Sequence, residues 1–332
     1  MSDQFRVSKI MPERLREHGL SARAVLRQAG LPDSLFQEDI PYVTTAELFS
    51  LWRAIGTLSP DPEIGLKLGY EPRFERYQPT AIAAVCSRSF RDALQRIARY
   101  KRLTCPEEIR VRTSRQEASV EAAYTRAEEA EPDVLVDLVL SWIKGIGDRG
   151  TQGRIVPLRL ELVRPEAHAR RLEAHFGCPV RFQARRNALV FRDADLDLPF
   201  LTYNEELLAA IGAQLESELK TRGGTLDLGE QIKHSLKRSL AGKRPTLQDI
   251  ARELGMSART LQRRLTDAEV TFQQLVEATR RELARQYLSQ RTIELKEAAF
   301  LLGYEDANSF FRAFQEWEGT SPGAWRARRL AA

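Results

Sequence analysis

Two short runs in this 332-residue chain carry side chains suited to reading a DNA duplex. Arg259, Gln262, Arg263 and Thr266 share one helical face in S-A-R-T-L-Q-R-R-L-T, which begins at Ser257. Asn308, Ser309 and Arg312 share the equivalent face in D-A-N-S-F-F-R, which begins at Asp306. Arginine pairs with guanine through two parallel hydrogen bonds in the major groove, and Asn or Gln pairs with adenine in the same way. Lys243, Arg244, Ser257 and Arg264 flank the first run and suit the phosphates that fix register on the duplex. The competing reading is solvated polar surface on helices that merely pack.

Each run needs a partner helix to hold it. Leu247, Ile250, Ala251 and Leu254 are spaced i, i+3, i+4, i+7, one buried face of a short helix. Leu295, Ala298, Ala299 and Leu302 repeat that spacing. Gly255 and Gly303 follow at the same offset, where a helix stops and the chain turns. Ser257 and Asp306 are good N-caps for the second helices, in which Leu261 and Leu265 match Phe310 and Phe314 as buried residues. The spacing therefore predicts two helix-turn-helix units, 246–267 and 294–317, joined by a helix over 271–288. That connecting helix would be about 27 Å long. It could hold two recognition helices near the ~34 Å repeat of DNA, so that both enter adjacent major grooves.

At these residues the chain resembles the AraC/XylS family of bacterial transcription regulators. G-Y-E-D-A-N-S-F-F-R-A-F-Q-E-W-E-G-T-S-P-G-A-W-R, Gly303 to Arg326, is similar to that family's signature along its length. The resemblance implies base reading by Arg259, Gln262 and Arg263 in the first recognition helix and by Asn308, Ser309 and Arg312 in the second, where Ala307 is short. It also implies RNA polymerase as a partner and activation as the usual output. A second resemblance spans about 20–205 and is to the arabinose-binding-type N-terminal domain of longer regulators in the family. Its carriers are G-L-P from Gly30, L-W-R-A-I from Leu51, P-D-P-E-I-G-L-K-L-G from Pro60, Arg99-Tyr100 and F-G-C-P-V-R-F from Phe176. This implies a small-molecule effector, sugar or otherwise, and a possible homodimer.

Composition agrees with a two-domain regulator. The length allows two domains, and 42% hydrophobic residues suffice for real cores. The net charge of +5 has the sign a nucleic-acid partner requires. Lys233, Lys237, Arg238, Lys243 and Arg244, with His234 among them, precede the first motif; a solvated basic linker is the competing reading. No apolar run approaches the ~18–20 residues of a membrane span, and the N-terminus lacks the apolar stretch of a signal peptide. Cys86, Cys105 and Cys178 are odd in number and scattered, which points to a reducing cytoplasm. His175 and Cys178 lack a second ligand pair, so no metal is expected, and no cofactor. An enzyme is not expected, because there is no G-x-S-x-G elbow and no phosphate-binding glycine loop. Asp193, Asp195 and Asp197 read as turn solvation.

The N-terminal region mixes helices and strands. Gly19 to Ala29 nearly copies the stretch from Gly255, but the helix before it would have to bury Arg14 and His18, so it reads as an ordinary helix from Ser21 to Ala29. Thr45 is read as the cap of a helix bearing Leu48, Leu51, Trp52 and Ile55, with Gly69–Pro79 an irregular loop. Ile109–Thr113 and Ala118–Tyr124 alternate as a hairpin. Pro132 opens an apolar helix to Ile146, followed by a flexible Gly147–Gly153 loop. Ile155–Val163 reads as a strand, Pro165–Phe176 as a helix, Val180–Gln183 and Ala188–Arg192 as strands, and Asn204–Leu219 as a last helix broken by Thr221–Gly224. Trp52, Arg73, Phe74, Tyr77 and Trp142 are candidates for an effector pocket, although Trp52 and Trp142 read first as core filling on helix stripes, and the Arg73 loop suits either a carboxylate or plain surface.

The expected architecture is an α+β sensor or dimerisation domain over 1–218, a linker over 219–230, and an all-α DNA-binding domain over 231–332. The alternative function is a constitutive DNA-binding protein whose first domain is an interaction module.

Overall fold

The computed structural model describes residues 4–37, 41–73, 78–103, 107–124, 127–222, 228–240, 245–290 and 293–331. The chain divides into two compact units that meet in sequence between Gly224 and Thr225. The first is α+β, the second all-α.

The first unit opens with β1 (Gln4–Arg6), α1 (Met11–Glu17) and α2 (Ala22–Gln28). β2 (Tyr42–Thr44) pairs antiparallel with β1 and runs into α3 (Thr45–Leu58). The cap of α3 is Thr44, not Thr45. The Thr44 hydroxyl accepts from the Glu47 amide and the Glu47 carboxylate accepts from the Thr44 amide, a reciprocal pair that the Thr-x-x-Glu spacing permits from Thr44 alone. Thr45 is buried as the first helical residue. After α4 (Ile64–Gly69), the stretch read as an irregular loop ends where Pro79 starts α5 (Pro79–Val85), and α6 (Phe90–Tyr100) follows.

The sheet is built from β3 (Glu107–Ser114), β4 (Glu117–Tyr124), β5 (Arg159–Glu161), β6 (Val180–Arg181) and β7 (Ala188–Arg192). Its order is β3-β4-β7-β5-β6, antiparallel except for β5 with β6. β5 is shorter than the alternation of 155–163 suggests. Ile155 is buried outside the ladder, and Leu162, also beyond the strand's end, is buried with its amide still donating to the Arg181 carbonyl at 2.8 Å.

α7 (Asp133–Thr151) lies at the centre of the core, which is why its sequence is apolar on almost every side. The expected loop at Gly147–Gly153 is helical as far as Thr151. A Cβ on Gly150 would fall 2.4 Å from the Phe200 ring, and one on Gly147 would touch the Phe90 ring at 3.4 Å. These glycines are contact points for aromatic rings and do not break the helix. α4 packs on α7 through the same device, since a Cβ on Gly69 would fall 2.3 Å from the Leu138 carbonyl oxygen. α8 (Ala169–Phe176) is shorter than expected, because His168 takes φ +53° just before it. α9 (Glu205–Arg222) runs past Thr221, its last turns held by buried Leu215 and Leu219 against Ala83, Cys86 and Tyr100. Glu216 accepts from Arg99 at 2.6 Å and from the Tyr100 hydroxyl at 2.8 Å.

The second unit contains α10 (Leu228–Ser239), α11 (Leu247–Glu253), α12 (Ala258–Asp267), α13 (Phe272–Leu288), α14 (Leu295–Leu301), α15 (Ala307–Glu318) and α16 (Pro322–Ala331). Helices thus occupy both ends of the stretch read as a linker, α9 to Arg222 and α10 from Leu228. One core serves all seven helices, including Ile232, Ile250, Leu261, Leu283, Phe310 and Phe314.

Candidate nucleic-acid interface

α11 and α12 form one helix-turn-helix unit, α14 and α15 the other. Gly255 and Gly303 both take positive φ, +66° and +71°. At each turn two amides reach back to the preceding helix: Gly255 to Arg252 and Met256 to Ala251, Gly303 to Phe300 and Tyr304 to Ala299. This satisfies carbonyls that the helix end would otherwise leave open. Thr246 and Asp249 form a capping box at the start of α11. The Ser257 oxygen accepts from the Thr260 amide at 3.1 Å, and the Asp306 carboxylate accepts from the Ser309 amide at 2.8 Å.

Burial of Leu261 and Leu265 fixes which face of α12 is outward. Arg259, Gln262, Arg263, Arg264 and Thr266 are all exposed, as are Asn308 and Arg312 on α15. Among the described residues no ion pair engages Arg259, Arg263, Arg264 or Arg312. Ser309 is half-buried, and its hydroxyl donates to Asp306 at 2.6 Å. With its one proton committed there, Ser309 offers a base only an acceptor. The same hydrogen bonds hold the Asp306 carboxyl below its usual range. Lys243 and Arg244 lie outside the described residues.

The arginines of α13 contrast with those of α12. Arg280, buried, donates to the Leu302 and Gly303 carbonyls at 3.0 and 3.2 Å and lies 4.6 Å over the Tyr304 ring. Arg281 and Arg285 both reach Glu318 at the end of α15, and Glu277 accepts from the Trp317 indole at 2.8 Å. α13 therefore braces the second unit at its turn and at its far end. The Phe272–Leu288 pattern showed the helix but carried no sign of these bonds, which depend on tertiary placement. Lys237, one of the basic residues preceding the first motif, pairs with Glu282 at 2.7 Å.

A third turn of this kind lies in the first unit. Gly19 takes φ +74°, Gly19 and Leu20 reach back to Arg16 and Leu15, and Ser21 caps α2. Leu26, which matches Gln262, is buried against the core, so this copy presents no reading face.

The first unit also holds a cavity of about 210 Å³. Trp52 and Trp142 line it with Met11, Leu68 and Leu138, and Arg14, Glu71 and Lys101 supply the charge. Arg73 does not line it; it binds Glu71 at 2.8 Å and Glu17 at 2.9 Å from behind. Burial pushes the Glu71 carboxyl up, but the hydrogen bonds from Arg73 outweigh it and hold the group below its usual range. Phe74 and Tyr77 lie outside the described residues. Arg14 and Lys101 were not legible as pocket residues, because α1 and the end of α6 meet only in the folded unit. Elsewhere, His175 hydrogen-bonds Ser141 at 2.8 Å, and burial pushes the Cys178 thiol up to about 11.

Comparison with known proteins gives two family matches. Residues 19–200 match the arabinose-binding domain at the N-terminus of AraC transcription regulators, and residues 250–328 match a helix-turn-helix domain. An ornithine utilization regulator from Pseudomonas aeruginosa is 26% identical over 93% of this chain and 92% of its own length. The HTH-type transcriptional regulator VirS from Mycobacterium tuberculosis is 26% identical over 94% and 93%. Among solved structures, the transcriptional regulator CdpR from Pseudomonas aeruginosa is 22% identical, covering 95% of this chain and 96% of that one, with a TM-score of 0.46.

Proposed function

This chain belongs to the AraC family of transcription regulators, and from that premise we propose that it is an effector-controlled activator that reads two adjacent major grooves. It is a DNA-binding regulator by family. The finer reading rests on one observation: two capped helix-turn-helix units share a single core, and each turns polar, base-matching side chains outward. Arg259, Gln262 and Arg263 on α12 would contact base edges, with Asn308 and Arg312 on α15 completing the site. Ser257 and Arg264, both exposed, would contact phosphates.

The cavity in the first unit is the proposed effector site. An effector alters DNA binding only if it favours one arrangement of the protein over another. α9 and the following stretch to Leu228 carry that preference between the units, since the chain connects them there. As an activator, the protein would act in a bacterial cytoplasm, touch RNA polymerase beside its site, and bind as a homodimer where sites are repeated. No helix among the described residues is long and apolar enough to cross a membrane.

Selection of bound sites from random duplex DNA tests this reading. A motif of two blocks about one helical turn apart is expected. Absence of an enriched motif would mean that the two units do not read sequence. An identical motif and affinity with and without any effector would instead favour the constitutive reading.

A further inference from the structure

Resting on the reading that the first unit senses an effector in this cavity, we propose that the cavity takes an uncharged molecule, an apolar ring or short chain bearing one oxygen that accepts hydrogen bonds. Thr80 and Trp52 would receive the oxygen, and Met11, Leu68, Leu138 and Trp142 the apolar body.

Size comes first. An apolar cavity of ~150 Å³ accepts one benzene molecule, so 210 Å³ accepts a single ring with a short substituent. Aliphatic and tryptophan side chains make up most of the wall, so the body of the occupant is apolar.

The polar groups of the wall fall into two sets that differ in what they have left to give. The charged set is Arg14, Glu71 and Lys101, and all three have protein partners. Glu71 lies 2.8 Å from Arg73 and 3.7 Å from Arg14, and Lys101 lies 2.9 Å from Glu107. Arg73 in turn pairs with Glu17 at 2.9 Å. Among the described residues this cluster holds three cations and three carboxylates, so it offers a ligand no net charge to neutralise. An acid or an amine would give up its hydration there and have to displace an existing partner.

The neutral set is Ser8, Gln78, Thr80 and the two indoles. Among the described residues none of their side-chain polar atoms makes a hydrogen bond. Ser8 is half-buried and Gln78 exposed, so water serves both. Thr80 and Trp52 are only 6% and 3% exposed. Buried polar groups are as a rule hydrogen-bonded, and these two have the cavity beside them. An indole N–H only donates, and a threonine hydroxyl donates or accepts. A ligand oxygen can accept from either without a charge to desolvate.

A matched series on one ring tests this. Trp52 and Trp142 line the cavity, so fluorescence of the full-length protein reports binding. The probes are cyclohexylmethanol, cyclohexanecarboxamide, methylcyclohexane, cyclohexanecarboxylate and cyclohexylmethylamine. The alcohol and the amide are expected to bind tightest. Methylcyclohexane should be about fivefold weaker for want of the hydrogen bond, and the acid and the amine weaker by at least about tenfold. Thr80→Val keeps the shape and removes the hydroxyl. It should weaken the alcohol and the amide about fivefold and leave methylcyclohexane unchanged. Should Thr80→Val not fold, the series on the unaltered protein still decides. Acid, amine or methylcyclohexane binding as tightly as the alcohol overturns the neutral oxygen-bearing ligand and leaves the cavity as an effector site. Unchanged alcohol binding in Thr80→Val overturns Thr80 as the group that receives it. Tight binding of the alcohol with no effect on DNA affinity keeps the ligand class and removes the effector reading. If no probe binds while site selection still yields a motif, both the ligand class and the effector cavity fall and the DNA-reading function stands.

Discussion

Arg280 Nε donates to the Leu302 carbonyl at 3.0 Å, tying the helix between the two recognition units to the turn of the second. The guanidinium is buried, 4.6 Å over the Tyr304 ring, and it does the work of a helix cap from a distance of 22 residues. Arg280→Met should keep the aliphatic packing and lose the bonds. The expected loss is about 2–3 kcal/mol of stability, with weaker DNA binding because α15 is no longer held. Urea denaturation and DNA titration of the same variant check both. Unchanged stability would show the bonds to be incidental.

Gly255 and Gly69 need to be glycine for different reasons. At Gly255 φ is +66° and a Cβ would meet nothing within 4 Å, so Gly255→Ala should cost only the left-handed strain, about 1–2 kcal/mol. At Gly69 a Cβ would collide with the Leu138 backbone, which no rotamer change can relieve. Gly69→Ala should therefore cost about 3 kcal/mol or more and deform the cavity wall between α4 and α7. Thermal melts of the two variants should separate in that order.

The recognition units were legible because their signals are local: apolar spacing, a glycine at a fixed offset, and a capping residue. The family was legible from Gly303 to Arg326 for the same reason. The first unit was less so. Gly147 and Gly150 looked like a loop because the rings that need them, Phe90 and Phe200, lie far away in sequence. The clearest case is α1. Arg14 and His18 spoiled the burial pattern of a third helix-turn-helix, yet the helix and its turn are present. Arg14 lines the cavity of the first unit, so the position that the burial pattern required to be apolar lies on a cavity wall instead. Periodicity alone does not show such a wall.

Ser257 caps α12 and is also proposed to contact a phosphate. Ser257→Asp separates the two roles. Aspartate caps as well as serine, so stability should stay within a few tenths of a kcal/mol. The added negative charge should weaken DNA binding at every sequence alike if a phosphate lies there. Unaltered affinity would remove Ser257 from the contact set.

His175 predicts a pH dependence. Ser141 Oγ donates its only proton to the Leu66 carbonyl at 2.8 Å, so the contact with His175 Nε2 at 2.8 Å requires that nitrogen to be the donor. Burial, then Lys144, lowers the His175 pKa, against weaker opposing effects of Asp148 and Glu63. The folded state thus keeps the ring neutral where the unfolded chain protonates near 6.5. Its stabilising contribution is complete above that value and is lost as the pH falls through it toward the lowered folded value. Denaturation midpoints on both sides of pH 6.5 should show a drop that is reduced in His175→Gln. Equal slopes in the two proteins would remove His175 as its source.

Arg263 and Arg312 test whether both helices read bases. Both side chains are exposed, so alanine at either position should change folding stability by no more than about 0.5 kcal/mol. Any loss of DNA binding then belongs to the contact itself. A base reader should lose about 1–3 kcal/mol at the selected site and relax selectivity at one position, with little change on random DNA. A phosphate contact should lose the same amount on both and flatten the salt dependence. The α15 helix has the harder task, because Ala307 is short and the Ser309 hydroxyl already donates its hydrogen bond to Asp306. If Arg312→Ala behaves as a phosphate contact while Arg263→Ala behaves as a base reader, sequence is read by α12, and the second unit serves to hold the duplex in register.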